Sequence, residues 1–399
     1  MSKTKYFGNT YRADFVNTCL GMAPEDALAW LHTLEDVTEN IVKVNARKVD
    51  AEGAYPKESV DALKKIGAFG VMAPKEQQGL GFGRAMAALA VETVAYACPS
   101  TAAAMMFHYQ VLNRIMLHGS EKQKREYLPE MASGRCLAGS AWSELEAGAD
   151  KSNILTRLEP ANGGLVVNGE KNFCTGLEGL GLIHVLLGVP QNGHGIAPTF
   201  VGIKARAAGV KLEPIRNLMG LRGSSTGSVM LEGVEVSEED IIDSVGAGMK
   251  LMRSNHEFLM NPGLMALGIS RAIYEEAKQA VTGKWAGMRD TTGYQNTRFG
   301  ISDIEFRISS AYALASQTLR YLEQGLPDIS IECLKFKAYA TAGVVEISSL
   351  ALQLVGARGF VGDWPVERLF RDARATMLMG PANEVIKEWV CSKQTGSKP

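Results

Sequence analysis

Ser133-Gly-Arg-Cys136 marks the point where the chain changes its period. On the N-terminal side, from about Pro24 to Ala132, apolar residues recur at helical steps. Ala27, Trp30, Leu31, Leu34, Val37 and Ile41 stand three and four apart, on one face of a helix. Lys57–Ile66 reads as a second short helix with Pro56 near its first turn, where a missing N–H costs nothing. After the glycine-rich break Gln78-Gly-Leu-Gly-Phe-Gly83, helices are predicted over Ala85–Cys98, Thr101–His118 and Glu121–Met131. On the C-terminal side, as far as Val236, short β-rich runs alternate with glycine turns: Leu165-Val-Val167, His184-Val-Leu-Leu187, Thr199-Phe-Val-Gly-Ile203 and Ser228-Val-Met-Leu231. Strands at that spacing suggest a small sheet or barrel.

Helical spacing returns after Gly246. It predicts helices over Gly248–Gly283, Asp303–Gln324, Ile331–Leu354, Pro365–Asp372 and Ala382–Ser392. Several are long and apolar on more than one face, as expected of a bundle whose leftover faces meet another subunit. The fold class is therefore α+β. An N-terminal helical domain spans residues 1–134, a middle β-domain 135–240, and a C-terminal four-helix-bundle domain 241–399.

The 399 residues are enough for two or three such cores, and 46% hydrophobic with 21% charged residues is ordinary for a globular protein. A net charge of −1 gives no electrostatic reason to expect nucleic acid or an anionic membrane as partner. No run of 18 apolar residues predicts a membrane span. The N-terminal stretch MSKTKYFGNTYRADF lacks a secretory apolar core and reads as an arm. The six cysteines are scattered without a CxxC pair, and the six histidines form no HxxxH or HxH set. That pattern argues against a disulfide framework or a metal site and makes cytosol the default location.

Five segments carry a more specific signal. They are Met72-Ala-Pro-Lys-Glu-Gln-Gln-Gly-Leu-Gly81, Ala141-Trp-Ser-Glu-Leu-Glu-Ala-Gly-Ala-Asp150 and Gly169-Glu-Lys-Asn-Phe-Cys-Thr-Gly176. The fourth is Gly220-Leu-Arg-Gly-Ser-Ser-Thr226 with Val234-Glu-Val236, and the fifth runs from Gln353-Leu-Val-Gly-Ala-Arg-Gly-Phe360 through Val366-Glu-Arg-Leu-Phe-Arg-Asp-Ala-Arg374. Each alone is weak. Together, and in this order, they resemble the P-E-x-x-G-G-x-G, T-E-P-x-A-G-S-D, G-x-K-x-[WF]-I-T-N, G-x-R-G-S-x-T and V-E-R-x-x-R-D-A-R signatures of the acyl-CoA dehydrogenase family.

The resemblance implies FAD as cofactor, a homotetramer, an acyl-CoA or acyl-carrier-protein substrate, an electron acceptor such as an electron-transfer flavoprotein, and a place in fatty acid metabolism. It assigns Trp142, Ser143, Phe173 and Thr175 to the flavin edge; read without it, Trp142 and Phe173 are core aromatics. Gln353 and Gly356 match the turn that grips the adenine and diphosphate of the cofactor in an adjoining subunit, with Ala357 in place of a second glycine. The family's phosphate-binding arginine falls at Asn296, leaving Arg298 as either its replacement or a surface arginine. The serine of G-S-D is Ala149, so that hydroxyl is lost to the substrate.

The reaction the resemblance implies needs a base for the proton α to the thioester. The family's usual glutamate position is Gly380 here. A minority branch carries its base on a long C-terminal helix, at the equivalent of Phe258, beside Glu257. Pro262-Gly263 invites a kink or π-bulge that would restore the register. Glu257 is accordingly the candidate base, with His256 as fallback and no base at all as the alternative. Arg84, after the glycine-rich loop, is either a helix-start surface residue or the partner of a carboxylate or sulfinate at the far end of a short acyl chain. The competing functions are a flavin-dependent monooxygenase or acyl-CoA desulfinase on the same fold, and a binding module without catalysis.

Overall fold

The computed structural model describes residues 10–147, 153–161, 163–191, 195–327, 329–362 and 364–396, apart from the side chains at 257 and 258. The N-terminal helices are α1 (Thr10–Leu20), α2 (Ala27–Val37), α3 (Lys43–Glu52), α4 (Lys57–Lys65), α5 (Gly83–Ala97), α6 (Pro99–His118) and α7 (Glu121–Ala132). The middle strands are β1 (Leu137–Ala141), β2 (Arg157–Ala161), β3 (Gly164–Cys174), β4 (Leu180–Pro190), β5 (Ile196–Lys204), β6 (Val210–Pro214) and β7 (Gly227–Val236). The C-terminal helices are α8 (Gly248–Arg253), α9 (His256–Val281), α10 (Gln295–Glu323), α11 (Ile329–Val355), α12 (Pro365–Leu378) and α13 (Asn383–Thr395). Helix α7 starts where Ser120 and Gln123 cap one another, the Gln123 N–H donating to Ser120 Oγ and the Ser120 N–H to Gln123 Oε1.

The strands form one seven-stranded sheet in the order β1-β4-β2-β3-β7-β6, with β5 paired to the other side of β4. The helices before and after the sheet share a single apolar core, in which α5 and α6 pack on α9. At its centre is a buried carboxylate. Glu92 on α5 accepts from Arg271 on α9 at 2.8 Å and from Tyr312 on α10 at 2.5 Å, and pairs with Arg12 on α1 at 3.5 Å. Arg12 in turn pairs with Glu35 at 2.9 Å. One glutamate thus ties four helices of a common core to each other.

Two of the sequence motifs interlock. The Leu221 N–H donates to Asp372 at 2.6 Å, and Arg371 bridges Asp50, Glu367 and the Met219 carbonyl. Gly220 sits so close to this helix that a Cβ would lie 2.3 Å from the Arg371 carbonyl oxygen. Only glycine allows that contact.

The structure departs from the sequence reading at both ends: the N-terminal arm is helical from Thr10 as α1, and several C-terminal helices have other bounds, α12 running on to Leu378. The helix expected over Gly248–Gly283 divides at Ser254-Asn255, where α8 ends and Asn255 begins α9 by accepting from the Leu259 N–H. Pro262 lies inside α9 without the expected π-bulge, so no inserted residue shifts Glu257 onto the Phe258 position; among the described residues a π-turn occurs at Thr38–Val42. Gly263 serves packing: a Cβ there would meet the Phe336 ring at 2.8 Å, so it is where α11 crosses α9 closely. Helix α10 begins at Gln295, well before the expected Asp303, because Gly300 packs under Leu354 of α11. Helix α11 is long and apolar enough to cross a membrane, and it packs against α9, α10 and α12.

Candidate active site

Three groups of residues make up the candidate site. The first is an edge of the sheet. The pairing of β3 with β7 slips between Lys171 and Cys174, which inserts an extra residue into β3. Phe173 sits in this bulge with φ +58° and is 57% exposed. A bulky aromatic in the left-handed region, facing outward, is costly in itself and points to a ligand that stacks on it. Ser143 bridges Asn172 across the gap, accepting from the Asn172 N–H at 2.8 Å, so Ser143 and Trp142 lie beside the bulge. Trp142 is half-buried, with its ring centroid 5.4 Å from that of Phe200. Thr175 exchanges a hydrogen bond with Thr226 at 2.8 Å, which brings the Gly220–Thr226 motif to the same edge. An apolar face flanked by hydroxyls suits an aromatic ring system with a polar rim, and FAD fits these residues.

This edge is braced by a residue whose role the sequence did not reveal. Glu144 accepts from the Leu155 N–H at 2.6 Å, the Thr156 N–H at 3.0 Å, Thr156 Oγ1 at 2.7 Å and Lys171 Nζ at 2.5 Å. Both ends of the ion pair are buried. Burial alone would raise the Glu144 carboxyl, but these donors outweigh it and hold it down at about 2. The Glu92 carboxyl is likewise held at about 2, its burial outweighed by Arg271 and Arg12. Unfolding returns both to ordinary values near 4.5, so between these limits the unfolded chain binds more protons. Stability from both is complete above about pH 4.5 and is lost as pH falls toward about 2. Urea midpoints are therefore expected to drop steeply from about pH 5 to about pH 3, and a flat profile there would contradict the assignment.

The second group lines a small pocket between α6, α9 and the end of α12, formed by Met106, Phe107, Gln110, Asn261, Pro262, Met379 and Gly380. Two asparagines of α9 clamp α6 on either side of it. Asn255 Nδ2 donates to the Gln110 carbonyl at 2.8 Å, and Asn261 Nδ2 to the Met106 carbonyl at 3.1 Å. The far wall is held by Lys337, buried on α11, which donates to the Pro381 carbonyl and to Asn383 Oδ1, each at 2.8 Å. Sequence reasoning singled out Gly380 here but missed Gln110 and Asn261, which stand on helices with no polar pattern to mark them.

The third group adjoins the second across Asn261, which lines both. Arg84, Tyr109, His256, Met260 and Leu264 line a small pocket there. Arg84 donates to Asn113 Oδ1 at 3.1 Å. The His256 ring is lowered to about 4 by burial, with the Arg84 charge adding, so it is neutral at pH 7. Glu257 lies in the first turn of α9, one turn before Asn261; its side chain is outside the described residues, as is Ala149.

Gln353, Gly356 and Arg298 are not part of these cavities. They lie together where Gly300 of α10 meets Leu354 of α11. Gln353 and Gly356 are exposed, Gly356 has φ +73° with open space around it, and Arg298 Nη1 donates to the carbonyls of Thr292 and Gly293. Phe299 and Phe360 are 60% and 82% exposed beside them.

Comparison with known proteins agrees with this layout. The N-terminal domain model of acyl-CoA dehydrogenases matches residues 24–135, the middle domain model residues 139–234, and the C-terminal domain model residues 249–392. A short-chain specific acyl-CoA dehydrogenase of Clostridium acetobutylicum is 27% identical over 364 residues, covering 90% of this chain and 95% of that protein. The butyryl-CoA dehydrogenase of Megasphaera elsdenii superposes with a TM-score of 0.86 at 23% identity, over 93% of this chain and 98% of that one. A prolyl acyl carrier protein oxidase superposes with a TM-score of 0.84 at 19% identity, over 93% and 99%.

Proposed function

Because the chain belongs to the acyl-CoA dehydrogenase family, whose members are FAD-dependent oxidoreductases acting on CH–CH groups, we propose that it dehydrogenates a short acyl thioester between its α and β carbons, with Glu257 as the base. The thioester is carried on CoA or on an acyl carrier protein. The carrying observation is the position of the Gly380 pocket: Asn261 on its wall stands one turn after Glu257 on α9.

FAD, when bound, supplies the acceptor for the hydride leaving the β carbon. The chain does the rest. Phe173 and Trp142 present the aromatic face, and Ser143 and Thr175 offer hydroxyls to the polar rim. The clamped α6–α9 wall holds the acyl group in one orientation and keeps water out. Glu257 takes the α-proton. Neutral His256, next in sequence, adds no competing charge. Gln353, Gly356 and Arg298, with the exposed Phe299 and Phe360, suit an approach by a second copy of the chain in a homotetramer, which would contribute the diphosphate grip. An electron-transfer flavoprotein is the acceptor we assign.

Arg84 supports a finer reading of the substrate. It lines the pocket that adjoins the Gly380 pocket across Asn261. We assign it to a terminal carboxylate or sulfinate. A charge-assisted hydrogen bond of this kind contributes roughly 1.5–3 kcal/mol. Arg84→Ala should then lower kcat/KM on a dicarboxylic acyl thioester by about 10- to 100-fold and leave butyryl thioester turnover little changed. Equal losses on both substrates would remove Arg84 from the acyl end.

A second reading is favoured by the same cavity. The described residues around Gly380 offer amides and no carboxylate. A monooxygenase or desulfinase on this fold has less need of an α-proton base. Anaerobic mixing with acyl-CoA separates the two: bleaching of the flavin supports dehydrogenation, whereas rapid oxygen use by the reduced enzyme without such bleaching supports the alternative.

A further inference from the structure

Gln110 is 2% exposed, lines the cavity at Gly380, and has its side-chain oxygen buried with no hydrogen-bond partner. A buried carbonyl oxygen left bare costs about 1–3 kcal/mol, and proteins keep such groups where something else satisfies them. Asn261 uses one of its two N–H groups on the Met106 carbonyl. Asn255 donates to the Gln110 backbone carbonyl, not to its side chain. Met106, Phe107 and Met379 supply no strong donor. The pocket therefore presents one unpartnered buried acceptor, Gln110 Oε1, on a wall that is otherwise apolar apart from Asn261.

From this we infer that the acyl group bound at Gly380 carries a hydrogen-bond donor, a hydroxyl or an amine N–H, which Gln110 Oε1 accepts. A plain alkyl chain filling the cavity displaces any water on Gln110 and returns no donor, so it leaves the oxygen bare. A hydroxyl- or amine-bearing acyl group replaces that water bond with its own. Gln110 is in this sense a specificity-determining residue, and the anion site assigned to Arg84 lies in the adjoining space across Asn261, so the two ends of the acyl group are read separately. The inference rests on the reading of this cavity as the acyl site, and its test does not depend on turnover.

The test is equilibrium binding to the holoenzyme of non-oxidisable butyl, hydroxybutyl and aminobutyl thioethers, each offered on CoA and on phosphopantetheine, followed by the perturbation of the flavin spectrum. The hydroxyl or amine analogue is expected to bind about tenfold more tightly than the butyl one. In Gln110→Leu that ratio should fall to about one, while Gln110→Glu, which keeps the acceptor, should restore it. A preference for butyl, no preference, binding of none of the three, or a ratio unchanged in Gln110→Leu would each overturn the inference. Polar preference without any bleaching by the corresponding thioester would leave it standing and would instead remove dehydrogenation.

Discussion

Glu144→Ala is expected to destabilise the middle sheet by about 3–5 kcal/mol, because it leaves the buried Lys171 ammonium without a counter-charge. The same change strips the acceptor from the Leu155 and Thr156 N–H groups. Lys171 lies two residues before Phe173, so the bulge that carries the aromatic platform should loosen with it. In urea, the variant's middle domain should unfold well before the helical core, with flavin released in the same step. Glu144→Gln keeps the shape but not the charge and should lose most of the same stability. Combining Glu144→Gln with Lys171→Met removes both charges and should recover part of it, since the penalty comes from the unpaired ion rather than from the absence of a pair. A loss below about 1 kcal/mol in Glu144→Ala would mean that the ion pair is incidental.

The second large effect concerns chemistry. A positioned general base contributes about 10²- to 10⁴-fold to a proton abstraction. Glu257→Gln should slow flavin reduction by an acyl thioester by that factor while leaving the bound flavin and its spectrum in place. His256→Gln is the companion variant. With its ring neutral at pH 7, it should slow the step far less. If Glu257→Gln reduces flavin at the parent rate, the base is elsewhere or the reaction needs none.

How much of this was legible in the sequence depended on the range of the interaction. The change of period at Ser133–Cys136 announced the sheet, because strand and helix patterns are local. The start of α10 and the division between α8 and α9 were less visible. Gly300 and Gly263 read as interruptions, yet each lies where two helices approach closely, a fact set by Leu354 and Phe336 on another helix. The residues assigned to the flavin edge came from the motifs, and the geometry added what sets Phe173 apart, a bulge with a left-handed backbone and an exposed ring. Glu144 stood inside a quoted motif, but its partners Leu155, Thr156 and Lys171 lie farther along the chain, so its bracing role could not be read there. The Arg12–Glu92–Arg271–Tyr312 cluster joins four separate helices and has no sequence signature at all. Gln110 is the extreme case: an amide on α6 given meaning only by the pocket it lines.

Dehydrogenation of an acyl thioester is the central claim, and anaerobic titration of the purified yellow enzyme tests it most directly. The panel should include butyryl, hydroxybutyryl and dicarboxylic thioesters on CoA and on an acyl carrier protein. The account predicts that at least one of them bleaches the flavin stoichiometrically and is converted to the α,β-unsaturated thioester, and that Glu257→Gln abolishes the rapid phase. A flavin that stays oxidised with every member of the panel, in an enzyme that consumes oxygen rapidly once reduced, would contradict it.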